Sequence, residues 1–248
     1  MLSTKLHTTK EPFSQRLSNP NSSFARYRTI AVGQQGLVDL LAYELINTFI
    51  LPLPGRLGIG LRSLLFPLIC AKMGRCVTLG TDCTIRNPFR IWIEDHVVIE
   101  DGVTLDVKPH AHNLLIGRNV VVGRRTILNC AGGTLVIGNG THIGPFCRLG
   151  SKKGLAIGKN CRIGELACCS GAGHAYADRD RPIVEQALTC KGPTKLGDFV
   201  IVGDRASILD GIQIGSNVRI APDSLVTRDI PDNSLVAGVP ARIQQILN

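Results

Sequence analysis

The chain has 248 residues, 44% hydrophobic and 19% charged, enough to bury a core and too evenly mixed for a disordered segment or a bundle of membrane spans. One Trp, three Tyr and seven Phe against 27 glycines point to a narrow aliphatic interior crossed by many turns. The formal charge of +9 is uneven, with nine Lys or Arg and three Asp or Glu in residues 1–78; few rings are available for base stacking and no nucleic-acid motif is present, so nucleic acid is not expected as a partner.

Residues 1–28 are polar and lack the apolar stretch of a secretory signal, which reads as a flexible tail. The nine cysteines are an odd number, include the pair Cys168–Cys169 and form no CxxC motif. This usage predicts free thiols in a cytoplasmic protein. Residues 29–75 read as a helical region, with apolar helices over 37–51 and 57–72 separated by Pro52, Pro54 and Gly55. Neither reaches 18 uncharged apolar residues, so a membrane span is not expected. Two readings stand for this region. It caps the first turn of the repeat that begins at residue 76, or it makes a peripheral membrane contact through residues 37–75, with Arg56, Arg62, Lys72 and Arg75 facing lipid phosphates.

From residue 76 to 235 an aliphatic residue recurs every six positions. The longest run is Leu196, Val202, Ile208, Ile214, Ile220 and Val226, and an earlier one is Leu79, Ile85, Ile91, Val97 and Val103. Between them stand the triplets Ile116, Val122, Leu128, then Ile137, Ile143, Leu149, then Ile157, Ile163, Cys169. Eleven of these twenty positions precede a glycine, where composition predicts about two. A small or β-branched residue stands four places on. Six residues make one short strand and one corner, and three such units close a triangular turn. Turns then stack at the spacing of a parallel sheet, about six of them. Cys83, Cys147 and Cys161 fall in the small slot and Cys169 in the aliphatic one, as compact buried groups.

The period breaks after Val103, Leu128, Leu149 and Cys169, each time in the third unit of a turn. The extra residues therefore stack along one edge, and the longest excess, residues 170–195, is an arm leaving that edge. A scaffold interrupted repeatedly on one edge is expected to use it. Residues 236–248 close the last turn.

The repeat, the segment SGAGHAYADRDRPIVEQ (170–186) and the ending VTRDIPDNSLVAGVPARI (226–243) resemble the hexapeptide-repeat acyltransferases, in the branch of maltose, galactoside and nodulation-factor O-acetyltransferases and those of exopolysaccharide pathways. The resemblance spans residues 75–245. It implies an all-β solenoid, a left-handed parallel β-helix, assembled as a homotrimer with active sites between subunits. It also implies acetyl-CoA as donor, a saccharide hydroxyl as acceptor and no metal.

By position His174 matches the family's catalytic base; Asp178 and Glu185 are the two nearby carboxylates open as the group that orients it, and Glu185 is kept as the second member. For the cofactor, Gly203 stands where the thioester passes close to a corner, while Thr227, Arg228 and Arg242 stand near the nucleotide phosphates. Asp204 and Asp223 depart from the family's IGAG or IGSG corners and put carboxylates beside an anionic cofactor, and Pro222 removes a backbone donor.

Two other functions compete. A non-catalytic trimeric scaffold is favoured by those acidic corners. A γ-class carbonic anhydrase needs converging histidines, and the only close pair here, His110 and His112, has the wrong spacing. His7, His96 and His142 carry no assignment.

Overall fold

A computed structural model describes residue 24 and residues 27–33 and 36–246. The tail reading for residues 1–28, and His7 with it, lies almost wholly outside the described residues. Residues 72–226 form a left-handed parallel β-solenoid of triangular section. Strands begin on the first face at residues 72, 91, 114, 135, 155, 194 and 213, and on the third at 84, 104, 127, 148, 168, 207 and 225. The second face has a matching series, extended by Ser234–Gly238 and then antiparallel by Ala241–Ile246, which closes the far end.

This makes seven coils where the period predicts about six. The first face of the first coil, Lys72–Met73, lies ahead of Leu79, where the period begins, and completes the seventh coil, while the second coil differs in register. Register pairs Ile116 with Ile93, Val122 with Ile99 and Leu128 with Leu105. The inward series therefore jumps from Ile85 to Ile93 across a short 3-10 turn at Pro88–Arg90. Val97 and Val103 are not the primary inward residues of that coil. They occupy the small-residue slot four places on, where later coils have Val120 and Thr126, and all four are fully buried. A six-residue spacing of aliphatics survives the slip because both slots are apolar here.

Corners are made by a left-handed residue. Asn119, Asn160, Asn217 and Asn233 take φ of 52° to 56° at four of the first-to-second corners, a conformation Asn tolerates better than most side chains, and Cys76, His96, Gly140 and Phe199 take the same place in other coils. Carboxylates stitch the corners vertically. Asp95, Asp101, Asp198, Asp204 and Asp232 each accept the backbone N–H of a corner residue one coil below, at 2.6–2.9 Å. The coils thus satisfy corner donors on their neighbours, and the stack behaves as a one-dimensional array.

The helical region covers the open first coil. Helix α1, Leu37–Leu45, continues as a π-helical turn to Ile50, and its Leu40, Tyr43 and Ile46 join the aliphatic core of the coil. Asp39 caps it by accepting the Gly36 N–H at 3.0 Å. Pro52 and Pro54 end the run, and α2 spans Gly55–Leu65. Tyr43 donates its hydroxyl to the Ile85 carbonyl at 2.7 Å. Arg62 is 1% exposed and donates to the carbonyls of Leu79, Leu53, Leu51 and Ile50, tying both helices to the first coil. It does not face lipid phosphates. Lys72 is likewise engaged, in an ion pair with Glu94 at 3.1 Å.

Candidate functional site

Every excess over the six-residue period falls between the third face and the first. These segments are residues 87–90, 108–113, 131–134, 152–154 and 171–193, on coils one to five. They form a stacked margin along one edge. The second of them is pinned from both sides: Arg90 donates to the Ala111 carbonyl, and buried Asp106 pairs with Lys108 at 2.6 Å. His110 and His112 sit in this insertion, and His96 and His142 lie elsewhere on the coil, at exposed positions. Among the described residues no three His, Cys, Asp or Glu side chains gather as a metal-ligand group.

The arm is a folded structure. Gly173–His174 pairs antiparallel with Leu188–Thr189, and Ala175 N–H donates to the Ala187 carbonyl at 2.8 Å. Beyond this ladder the loop turns through a 3-10 turn at Ile183–Glu185. Its centre is Gln186, only 6% exposed. The Gln186 amide donates to the Asp178 carbonyl at 2.6 Å and the Arg181 carbonyl at 2.9 Å, and its oxygen accepts the Asp178 N–H at 3.3 Å. The feet of the arm rest on the sixth coil, where Asp210 accepts the Lys191 N–H at 2.6 Å and Thr194 Oγ1 accepts the Gly211 N–H at 3.0 Å.

His174 is half-buried at the base of this hairpin, with Nδ1 3.1 Å from the Gln186 carbonyl oxygen. A carbonyl only accepts, so Nδ1 must carry the proton of the contact. In the neutral ring that leaves the lone pair on Nε2, the tautomer a base needs. The orienting group is therefore a backbone carbonyl. Glu185, the expected carboxylate, is exposed on the 3-10 turn, and its contacts are through the backbone: its N–H donates to the Pro182 carbonyl at 2.9 Å and its carbonyl accepts from Arg181 at 3.5 Å. Asp178 spends its side chain on the Asp180 N–H, and Tyr176 is exposed to solvent.

The residues assigned to the cofactor fall into two groups. Thr227 and Arg228 lie at the seventh-coil corner of the arm's own edge, two spacings above the arm, about 10 Å. Arg242 lies on the closing strand of the second face and donates to the Ala241 carbonyl. Both arginines are exposed, and neither forms an ion pair among the described residues. Gly203 stands at the second-to-third corner, where an added Cβ would come within 3.0 Å of the Pro222 and Ala221 backbone. Close stacking of the next coil accounts for this glycine by itself.

The acidic corners are explained in the same way. Asp223 makes a two-pronged pair with Arg205, both contacts 2.7 Å, and the guanidinium lowers the carboxyl below its usual range. Asp204 accepts the Glu165 N–H at 2.9 Å. Both carboxylates serve contacts between coils.

Gln186 is the site residue that sequence reasoning misses. Its amide looks like ordinary loop polarity, and only the fold of the arm shows it turned inward.

Comparison with known proteins agrees with this architecture. Residues 193–228 match the family model for the bacterial transferase hexapeptide (six repeats). A probable acetyltransferase of Mycobacterium tuberculosis is 26% identical over 159 residues, 64% of this chain and 52% of that protein. The serine acetyltransferase of Synechococcus elongatus is 35% identical over 112 residues, 42% of each chain. The chain thus spans about half the length of the curated relatives it matches. Among solved structures, a variant of AntD, an N-acyltransferase from Bacillus cereus in complex with dTDP and coenzyme A, superposes with a TM-score of 0.50 at 20% identity, covering 72% of this chain and 85% of that one. Coil, period and matched segment agree: the chain folds as a left-handed parallel β-helix, and its residues 193–228 are similar to the bacterial transferase hexapeptide repeat.

Proposed function

We propose that the protein transfers an acetyl group from acetyl-CoA to a hydroxyl of a saccharide or glycan precursor, with His174 as general base. The observation that carries this reading is the Nδ1 contact with the Gln186 carbonyl, which leaves Nε2 free to accept a proton at the base of the arm. A sugar hydroxyl is a weak nucleophile until its proton is removed as it attacks. Nε2 takes that proton while the oxygen bonds to the thioester carbon. The tetrahedral centre then collapses, the C–S bond breaks, and the imidazolium returns its proton to the departing thiolate. Backbone N–H groups at a corner stabilise the developing oxyanion. No acyl-enzyme is needed, and the cysteines have no part in the step.

The donor's nucleotide phosphates meet Arg228 and Arg242, exposed cations without a carboxylate partner among the described residues, and a guanidinium binds phosphate in two-pronged geometry. The protein works as a homotrimer, with the neighbouring subunit completing the cleft beside the interrupted edge. Nine free cysteines fit the reducing cytoplasm. Acyl transfer is also what the relatives are named for, and it is the reading their similarity supports. The non-catalytic scaffold loses its main ground, because Asp204 and Asp223 serve coil-to-coil contacts.

The test is release of CoA from acetyl-CoA in the presence of a panel of glycans. His174→Ala is expected to fold and assemble as before and to lose about 10²–10⁴-fold in turnover. Equal turnover in both proteins removes His174 from the mechanism.

A further inference from the structure

We propose that the outer face of the helical cap is a docking surface for an anionic lipid bilayer. The inward side of α1 is already spent on the core through Leu40, Tyr43 and Ile46. The opposite side is just as apolar. Leu41, Leu45 and Phe49, four residues apart, are 63%, 58% and 63% exposed, and Leu57, Leu64 and Leu68 after the proline break are 72%, 70% and 68% exposed. From Gly36 to Cys70 the one exposed charged residue is Arg56. Half-buried Asp39 and Glu44 are engaged with the Gly36 N–H and the Tyr27 hydroxyl, and an apolar face of this extent with so little exposed charge marks something that covers it.

Charge identifies the occupant. Residues 1–78, the part of the chain that holds this face, contain nine Lys or Arg against three Asp or Glu. Arg56 and Arg75 stay exposed there, and the five remaining cations that are not Arg62 or Lys72 precede α1 in the chain. An apolar face with Arg56 and Arg75 exposed in the same region, in the part of the chain richest in cations, suits the boundary between acyl chains and anionic headgroups, where such helices lie about 5–10 Å deep. No helix among the described residues is long and apolar enough to cross a membrane, so the cap lies on the surface. The solenoid is accordingly asymmetric. Its other end is closed by a strand that mixes exposed polar residues, Arg242, Gln244 and Gln245, with exposed Ile243 and Ile246.

This inference is independent of the acetyl-transfer reading and is tested without measuring activity. The full chain is sedimented with vesicles of phosphatidylcholine plus phosphatidylglycerol and with phosphatidylcholine alone, beside the triple variant Leu41→Ser, Leu45→Ser, Phe49→Ser. The wild type is expected to pellet with the mixed vesicles and less with the neutral ones, and the variant to bind at least about tenfold more weakly. In a Trp92→Phe background, Leu41→Trp fluorescence is expected to be quenched by lipids brominated on the acyl chains. Trp92 of the wild type, on the second coil, is not. The quenching also decides the matter if the triple variant fails to fold. Wild-type protein left in the supernatant, equal pelleting of wild type and a folded variant, or an unquenched Trp at position 41 overturns the proposal. A larger assembly of the wild type that the variant loses, without pelleting, overturns it too and assigns the face to a second copy.

Discussion

His174 and Gln186 divide two tasks between one ring and one residue. The Gln186 carbonyl sets the tautomer, while its buried amide holds the loop that carries both. Replacing the side chain leaves the carbonyl in place but frees the Asp178 and Arg181 backbone. Gln186→Ala is therefore expected to lower kcat about tenfold through loss of positioning, with the pH profile unchanged and the melting of the coil unmoved. Glu185→Gln is expected to leave turnover within about twofold, because no group on that side chain holds the ring. Steady-state rates across pH separate the two variants. If Arg228 meets the donor phosphates as proposed, Arg228→Ala is expected to raise the KM for acetyl-CoA about tenfold while sparing kcat, and the difference should shrink as salt screens the phosphates.

The coil and its corners form the next scale. Successive coils approach so closely that a corner glycine is fixed by its neighbour above, whatever passes along the outside. Gly203→Ala puts a methyl against the Pro222 and Ala221 backbone, and Gly164→Ala does the same against Asp204. Each is expected to destabilise the fold by about 1–3 kcal/mol, read from thermal or denaturant melts. If Gly203→Ala also raises the KM for the donor and Gly164→Ala does not, the first corner has a cofactor role beyond stacking. The arm obeys other rules. It is tied to the coil at its feet by Asp210 and Thr194, and its own hydrogen bonds are internal, so it can change without unwinding the stack.

At the scale of the whole molecule, the interior is lined with thiols that burial keeps protonated. Burial pushes Cys83, Cys130 and Cys147 up to about 11 and Cys169 up to about 12. An unfolded chain would release those protons near the ordinary thiol range, about 8.5. The folded state binds more protons in that window, so its stability is full below it and falls as pH rises from about 9 towards 11. Denaturant melts at pH 7 and pH 10 check this. Alkylation of the native protein at pH 8 should label exposed Cys76 first, with the buried thiols reacting only after unfolding.

The triangular section, the stacking of strands and the edge that carries the insertions are all legible from a six-residue period, because each inward slot admits only a small set of residue shapes. His174 stands out from its motif as a candidate base. The slip of register at Ile93 is not, since an aliphatic side chain suits both inward slots, and only pairing with Ile116 and Met73 distinguishes them. Nor is the partner of the His174 ring. A carboxylate near in sequence looks like the natural choice, yet the hairpin turns Glu185 outward and brings the neighbouring carbonyl to Nδ1. Periodicity reports what repeats along the chain, and it carries no information about a segment that leaves the repeat and folds back on itself. For that segment, and for the apolar outer side of the cap, the deciding fact is which groups the tertiary fold has already satisfied and which it leaves facing out.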